Sequence, residues 1–100
     1  MRIAKVRGTV VSTQKEQSLT GMKFLLVQFV DENGNELGEC EVVADNVGAG
    51  FGEWVLVSRG SAARQFDRGE TRPLDALVVG IIDTISVDRQ FSYSKRDDER

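Results

Sequence analysis

Residues 44–57 read Ala-Asp-Asn-Val-Gly-Ala-Gly-Phe-Gly-Glu-Trp-Val-Leu-Val, so Gly48, Gly50 and Gly52 fall at alternate positions just ahead of an apolar, β-branched run. Glycine suits backbone at positive φ, or backbone that another surface approaches closely. Such a loop could cradle a phosphate, lie against a nucleic-acid backbone or meet another copy of the chain. A dinucleotide fingerprint needs a helix after its glycines, because the helix N-terminus holds the pyrophosphate. Here Trp54-Val55-Leu56-Val57 follows, which is strand-forming. A P-loop would need Gly-Lys-Ser/Thr, and the chain has none.

Other chemistry is thinly provided for. The chain has no histidine, which removes the commonest general base and the commonest zinc ligand. Ser-His-Asp and Cys-His arrangements and a zinc site are excluded. Cys40 stands alone, so there is no internal disulfide and no CxxC pair. It reads as a small, half-buried hydrophobe in a strand. Asp45, Asp75 and Asp83 are the carboxylates a substitute acid or base would draw on. Each also has a structural use: Asp45 in an Asx-type turn, Asp75 capping a turn after Pro73, Asp83 holding backbone donors at an interface. No two carboxylates stand at a catalytic spacing. The reading is therefore of no catalytic residue, no cofactor site and no metal site.

A chain of 100 residues is one domain. Its 40% hydrophobic and 29% charged residues suit an ordinary soluble domain rather than a disordered one. A net charge of −3 argues against a nucleic-acid binder, although Arg2, Lys5 and Arg7 could make a local basic patch. No apolar run approaches the roughly 20 residues that span a bilayer, and Met1-Arg2-Ile3-Ala4-Lys5 lacks the apolar core of a signal peptide. The chain is read as cytoplasmic.

Positioning the glycine loop falls to strands. Ala4, Val6, Gly8 and Val10 alternate with Lys5, Arg7 and Thr9, a period of two. Ser12 to Gly21 reads as a long polar loop. Lys23 to Val30 is apolar on both faces, so its second face needs a cover, which a neighbouring subunit could supply. Asn33-Gly34 signals a tight hairpin. The return strand, Glu36 to Ala44, is expected to put Gly38, Cys40, Val42 and Ala44 on the core and to turn Glu39 and Glu41 away. Glu53 to Arg59 is the fourth strand. Ser61 can cap a short helical turn through Ala62 and Ala63. Leu77 to Val87 is expected as the longest strand, bent at Gly80. The division expected is a barrel over 1–87 and a tail over 88–100, in which Phe91 and Tyr93 mark a short edge strand or a loose end.

Five short strands with one or two helical turns point to an all-β, OB-like barrel. OB modules that bind nucleic acid stack bases on exposed aromatics in a basic groove. Here Phe24, Phe29 and Trp54 sit where a core would use them. That function is kept as the alternative. Self-association suits the glycine loop better, since small residues let symmetry-related backbones crowd together.

Read in order, the chain resembles the EutN/CcmL family, the pentameric vertex proteins of bacterial microcompartment shells. The resemblance runs from Met1 to about Val87. It rests on Asp45-Asn46-Val47-Gly48-Ala49-Gly50 with Gly52-Glu53-Trp54-Val55-Leu56, on Gly60-Ser61-Ala62-Ala63-Arg64-Gln65, and on Pro73-Leu74-Asp75 with Val79-Gly80-Ile81-Ile82-Asp83. Gly8-Thr9-Val10-Val11, Thr13, Lys15, Leu19, Gly21 and Lys23 also fit. The opening Met1 to Gly8 and the closing Tyr93-Ser94-Lys95-Arg96 favour the carboxysome branch. The resemblance implies a homopentamer that closes a shell of hexameric tiles around carboxylase and carbonic anhydrase. Its implied partners are itself, the hexameric shell proteins and an inner scaffold protein, with no nucleic acid and no membrane. The expectation is that Asn46, Val47, Gly48, Ala49, Gly50 and Phe51 lie near the five-fold axis or the subunit seam. Arg59, Arg64 and Asp83 are expected to make charge-assisted contacts between subunits.

Overall fold

In the computed structural model, residues 1–11, 21–59 and 76–95 are described. Strands β1 (Arg2–Val10), β2 (Lys23–Val30), β3 (Glu36–Asp45), β4 (Trp54–Arg59) and β5 (Ala76–Ile81) close a barrel in the order β1-β2-β3-β5-β4. All neighbours are antiparallel except β3 and β5, which run parallel. Strands β6 (Thr84–Val87) and β7 (Gln90–Ser94) form a separate two-stranded sheet. The expected five-stranded barrel is present. The helical turn expected at 61–64 lies outside the described residues.

The period-two pattern explains the interior. Ala4 and Val6, then Leu25, Val27 and Phe29, then Val43, Val55, Val57 and Val78 are buried together with Ala49. The β2–β3 hairpin turns at Gly34, with φ +85, where the Asp31 carboxylate accepts the N–H groups of Asn33 and Asn35, each at 2.9 Å. Two smaller clusters sit outside the barrel. Met22, Ala44 and Leu77, with Phe24 and Val79, cover part of one wall. Val30, Trp54, Ile82 and Tyr93, with Ile3, Leu56 and Ile85, lie under the β6–β7 hairpin.

Three expectations about the strands change. On β3, Val43 points into the barrel and Val42, Cys40 and Gly38 point out. Glu39 and Glu41 therefore share the inward face. Shifting a strand by one position exchanges its faces, and a period-two reading that sends every glutamate to solvent picks the wrong one here. Glu39 and Glu41 can take that face because arginines meet them at the barrel's end. Arg2 makes two hydrogen bonds to Glu39, at 3.0 and 3.2 Å, and Arg59 Nη2 lies 2.7 Å from Glu41. Both guanidinium groups lie over the Phe29 ring, at 3.8 and 5.5 Å, where the ring face attracts cations.

The run from Leu77 to Val87 is two strands, not one. The barrel closes with β5 at Ile81, so a longer strand would have no neighbour. The chain leaves at Ile82–Asp83, with Ile82 N–H donating to the Trp54 carbonyl at 2.8 Å, and pairs instead with β7. The hairpin turns at Asp88 and Arg89, both at positive φ (52° and 67°), as a two-residue type I′ connection requires. That turn sits at the boundary expected between barrel and tail, and residues on either side of it form one hairpin. Tyr93 stacks on Trp54 with centroids 4.1 Å apart and planes 16° from parallel.

Candidate functional site: a braced loop at the barrel end

The loop from Asp45 to Glu53 is held at nearly every step. The Asp45 side chain is fully buried. Its carboxylate accepts the N–H groups of Val47, Gly48 and Ala49 at 2.9, 3.2 and 2.8 Å. This is the Asx-type role expected of Asp45, extended over three donors. Lys23 donates to the Ala49 carbonyl at 3.0 Å. Gly50 N–H donates to Glu53 Oε1 at 2.6 Å, and Lys95 Nζ lies 2.6 Å from Glu53 Oε2. Gly52 N–H donates to the Val6 carbonyl, and Val6 N–H to the Glu53 carbonyl, both at 2.9 Å. Three strands and the end of the hairpin thus fix one short loop.

The glycines serve this geometry unequally. Gly48 and Gly52 have φ of +85 and +82, where other residues are strained. Among the described residues, nothing lies within 4 Å of where their Cβ would be. Ala49 differs from the exposed residues on either side of it. It is wholly buried in the barrel core, because its N–H must point back to Asp45, so its side chain faces its own barrel rather than a neighbour. The exposed groups of the loop are Asn46, Val47 and Phe51, the last 80% exposed. A rigid loop that offers a bare phenyl ring is suited to association, since an anchor already held in place loses little entropy on binding.

The remaining expected positions lie apart from this loop. Arg59 is at the other end of β4, in the ion pair with Glu41. Asp83 is exposed in the β5–β6 link, where its carbonyl accepts Lys95 N–H at 2.8 Å. Arg64 lies outside the described residues. Sequence reasoning missed the bracing of the loop by Lys95 and the hairpin, because that contact spans 42 positions of chain and no local pattern signals it. Among the described residues, no three His, Cys, Asp or Glu side chains are grouped to hold a metal ion, and no helix is long and apolar enough to cross a membrane.

The Lys95 ammonium first, and then the Gly50 N–H, hold the Glu53 carboxyl below the usual carboxylate range. Arg2 acts likewise on Glu39, and hydrogen bonds from Asn35 on Asp31. A carboxyl depressed in the folded state stabilises above its unfolded pKa, and that stability is lost as pH falls through the folded value. Urea midpoints should therefore decline as pH drops below about 4.3, the ordinary glutamate value. Glu53→Gln should be less stable than the parent at neutral pH and should flatten part of that decline. Parallel curves for parent and variant would count against the Lys95–Glu53 contribution.

A family model described as "Ethanolamine utilisation protein EutN/carboxysome" matches residues 1–83. The chain belongs to the EutN/CcmL family. Within that family it is 66% identical to the carboxysome shell vertex protein CcmL of a Nostoc species, over the whole of both chains. The solved structure of CcmL from Gloeobacter violaceus is 63% identical and superposes with a TM-score of 0.91, covering 97% of this chain and all of that one. GrpN, a pentameric microcompartment shell protein of Rhodospirillum rubrum, is 49% identical with a TM-score of 0.80, over 87% of this chain and 99% of its own. The barrel, the hairpin and the braced loop therefore belong to a family fold that includes a pentameric shell protein.

Proposed function

We propose that this chain is a structural vertex protein of a carboxysome shell, acting as a homopentamer. The observation that carries the reading is its identity, over the full length of both chains, with a carboxysome shell vertex protein. The function is geometric. Hexameric tiles alone make a flat layer, and a closed polyhedron needs five-fold corners. A ring of five wedges supplies a corner and lets the shell close around the carboxylase and carbonic anhydrase. We assign the chain no reaction and no cofactor. Its partners in this reading are its own copies, the hexameric tiles that meet the corner and the inner scaffold protein.

The loop from Asn46 to Phe51 is proposed to lie near the axis or the seam, with Arg59, Arg64 and Asp83 at subunit contacts. The nucleic-acid alternative is disfavoured by the fate of its basic patch. Two of its three cations, Arg2 and Arg7, are engaged by Glu39 and Glu36. Phosphate binding would have to break those pairs, and it would show as salt-dependent retention on single-stranded DNA.

Native mass measurement of the purified chain should give five copies. Phe51→Asp should yield folded monomer, because Phe51 is almost wholly exposed on its own subunit. An intact pentamer of that variant would remove the loop from the seam, and a parent that is monomeric or six-fold would overturn the vertex reading.

A further inference from the structure

The turn between β2 and β3 carries chemistry of its own. A side-chain amide is lost when the main-chain nitrogen of the next residue attacks its carbonyl carbon. The bulk of that next residue and the freedom of its nitrogen set the rate. The chain has three asparagines, and they differ in both respects. Asn46 precedes β-branched Val47, whose N–H is held by the buried Asp45 carboxylate at 2.9 Å. Asn35 precedes Glu36 at the start of β3, and its own amide donates to Asp31 Oδ2 at 3.2 Å. Asn33 precedes Gly34, which has no side chain to obstruct the approach. Asn33 is also exposed, and among the described residues its side-chain amide has no hydrogen-bond partner.

We propose that Asn33-Gly34 is a site of self-modification, at which the chain deamidates and its main chain is rerouted, and that Asp31 guards it. The Gly34 nitrogen loses its proton to solvent and bonds to Asn33 Cγ. The Cγ–Nδ2 bond breaks, and ammonia leaves with a proton regained from solvent. One water then opens the cyclic imide, at one carbonyl to give aspartate and at the other to give isoaspartate. The closed turn withholds the nucleophile, because Gly34 N–H donates to the Asp31 carbonyl at 3.0 Å. The Asp31 carboxylate tightens the turn through the N–H groups of Asn33 and Asn35. Reaction therefore starts from the open turn, and its rate follows the open population. Isoaspartate lengthens the main chain by one atom ahead of Gly34. There is no room for it: even a methyl on Gly34 would fall 2.6 Å from Trp54 Cη2, and Trp54 is stacked on Tyr93. The modified chain is weakened at this hairpin.

The test is incubation of the purified protein in warm, mildly alkaline buffer, followed by peptide mapping that separates aspartate from isoaspartate. Asn33 should convert before Asn35 and Asn46, and more slowly in the folded chain than in the chain unfolded by urea. Asp31→Ala should speed conversion roughly tenfold or more, because each charge-assisted hydrogen bond lost shifts the turn toward its open form. If Asp31→Ala does not fold, urea below the parent's unfolding midpoint should give the same acceleration. The isoaspartyl chain should melt below both the parent and Asn33→Asp, in which charge is added without the extra main-chain atom. Conversion first at Asn35 or Asn46 overturns the site, and so does an Asn33 that survives in the parent and in Asp31→Ala alike. Equal rates in parent and folded Asp31→Ala overturn the guard. Equal melting of the isoaspartyl chain and Asn33→Asp overturns the effect on the hairpin.

Discussion

Gly34→Ala should be among the most destabilising single-methyl additions available in this chain. Gly34 has φ +85 and turns the β2–β3 hairpin under the Trp54 ring. A Cβ there would lie 2.6 Å from Trp54 Cη2, too close for any real contact, and 3.3 Å from Cζ2. The indole cannot simply swing aside, because one of its faces is stacked on Tyr93 and it belongs to the core beneath the hairpin. The left-handed backbone alone costs about 1 kcal/mol. Displacing a buried tryptophan adds the overpacking cost of about 1–3 kcal/mol, for a total of roughly 3 kcal/mol. For a domain of this size that lowers Tm by about 15 °C. Gly38→Ala is the matched control. Gly38 has φ +80, but among the described residues nothing lies within 4 Å of its Cβ position, so the backbone cost of about 1 kcal/mol is what applies. Thermal melts of the two variants side by side test the idea, and equal losses would show that the indole yields freely.

Asp45→Ala is expected to be comparably severe, for an electrostatic reason. The Asp45 carboxylate is fully buried and serves three backbone donors. Removing it leaves the N–H groups of Val47, Gly48 and Ala49 without their acceptor, Ala49 in a buried setting. Charge-assisted hydrogen bonds contribute about 1.5–3 kcal/mol each before neighbours relax. Because the loop can open to water, the net loss is put at about 3–5 kcal/mol, the range for breaking one side of a buried charged cluster. Hydrogen exchange separates this effect from general loosening. Protection should collapse at Val47, Gly48 and Ala49 while Val27 and Val57 keep theirs relative to the global stability. If exchange at those three amides matched the parent, Asp45 would not be what orders the loop. Should the loop lie at the seam as proposed, this variant would also lose pentamer below the temperature at which its barrel melts.

Much of the barrel is legible without coordinates because its signals are local. Asn33-Gly34 marks the hairpin through its tolerance of positive φ, and the structure turns there. Ala4, Val6, Leu25, Val27 and Phe29 declare the core by alternation, and all five are buried. Asp45 followed by a glycine-rich run reads as an Asx-type turn, and its carboxylate does bind the next backbone donors. The family resemblance is legible too, because its blocks are contiguous stretches of sequence.

What escaped depends on partners distant along the chain. The face of β3 that turns inward carries Glu39 and Glu41, and it is tenable only because Arg2 and Arg59 arrive across the barrel's end. Alternation cannot register a charge that is neutralised from 18 or 37 positions away. The separation of β6 from β5 follows from ring closure, since a strand stops where it has no neighbour, whatever the β-propensity of the residues beyond it. The Asp88-Arg89 turn lacks the glycine that usually announces such a hairpin, so its conformation becomes visible only with β7 in place. Sequence by itself determined the five-stranded barrel, the interior of β1 and β2, and the loop's need for glycine, because local sterics and burial settle those. Tertiary structure alone decided which way β3 faces and what braces the loop, because both are set by ion pairs and stacking between segments that meet only when the barrel closes.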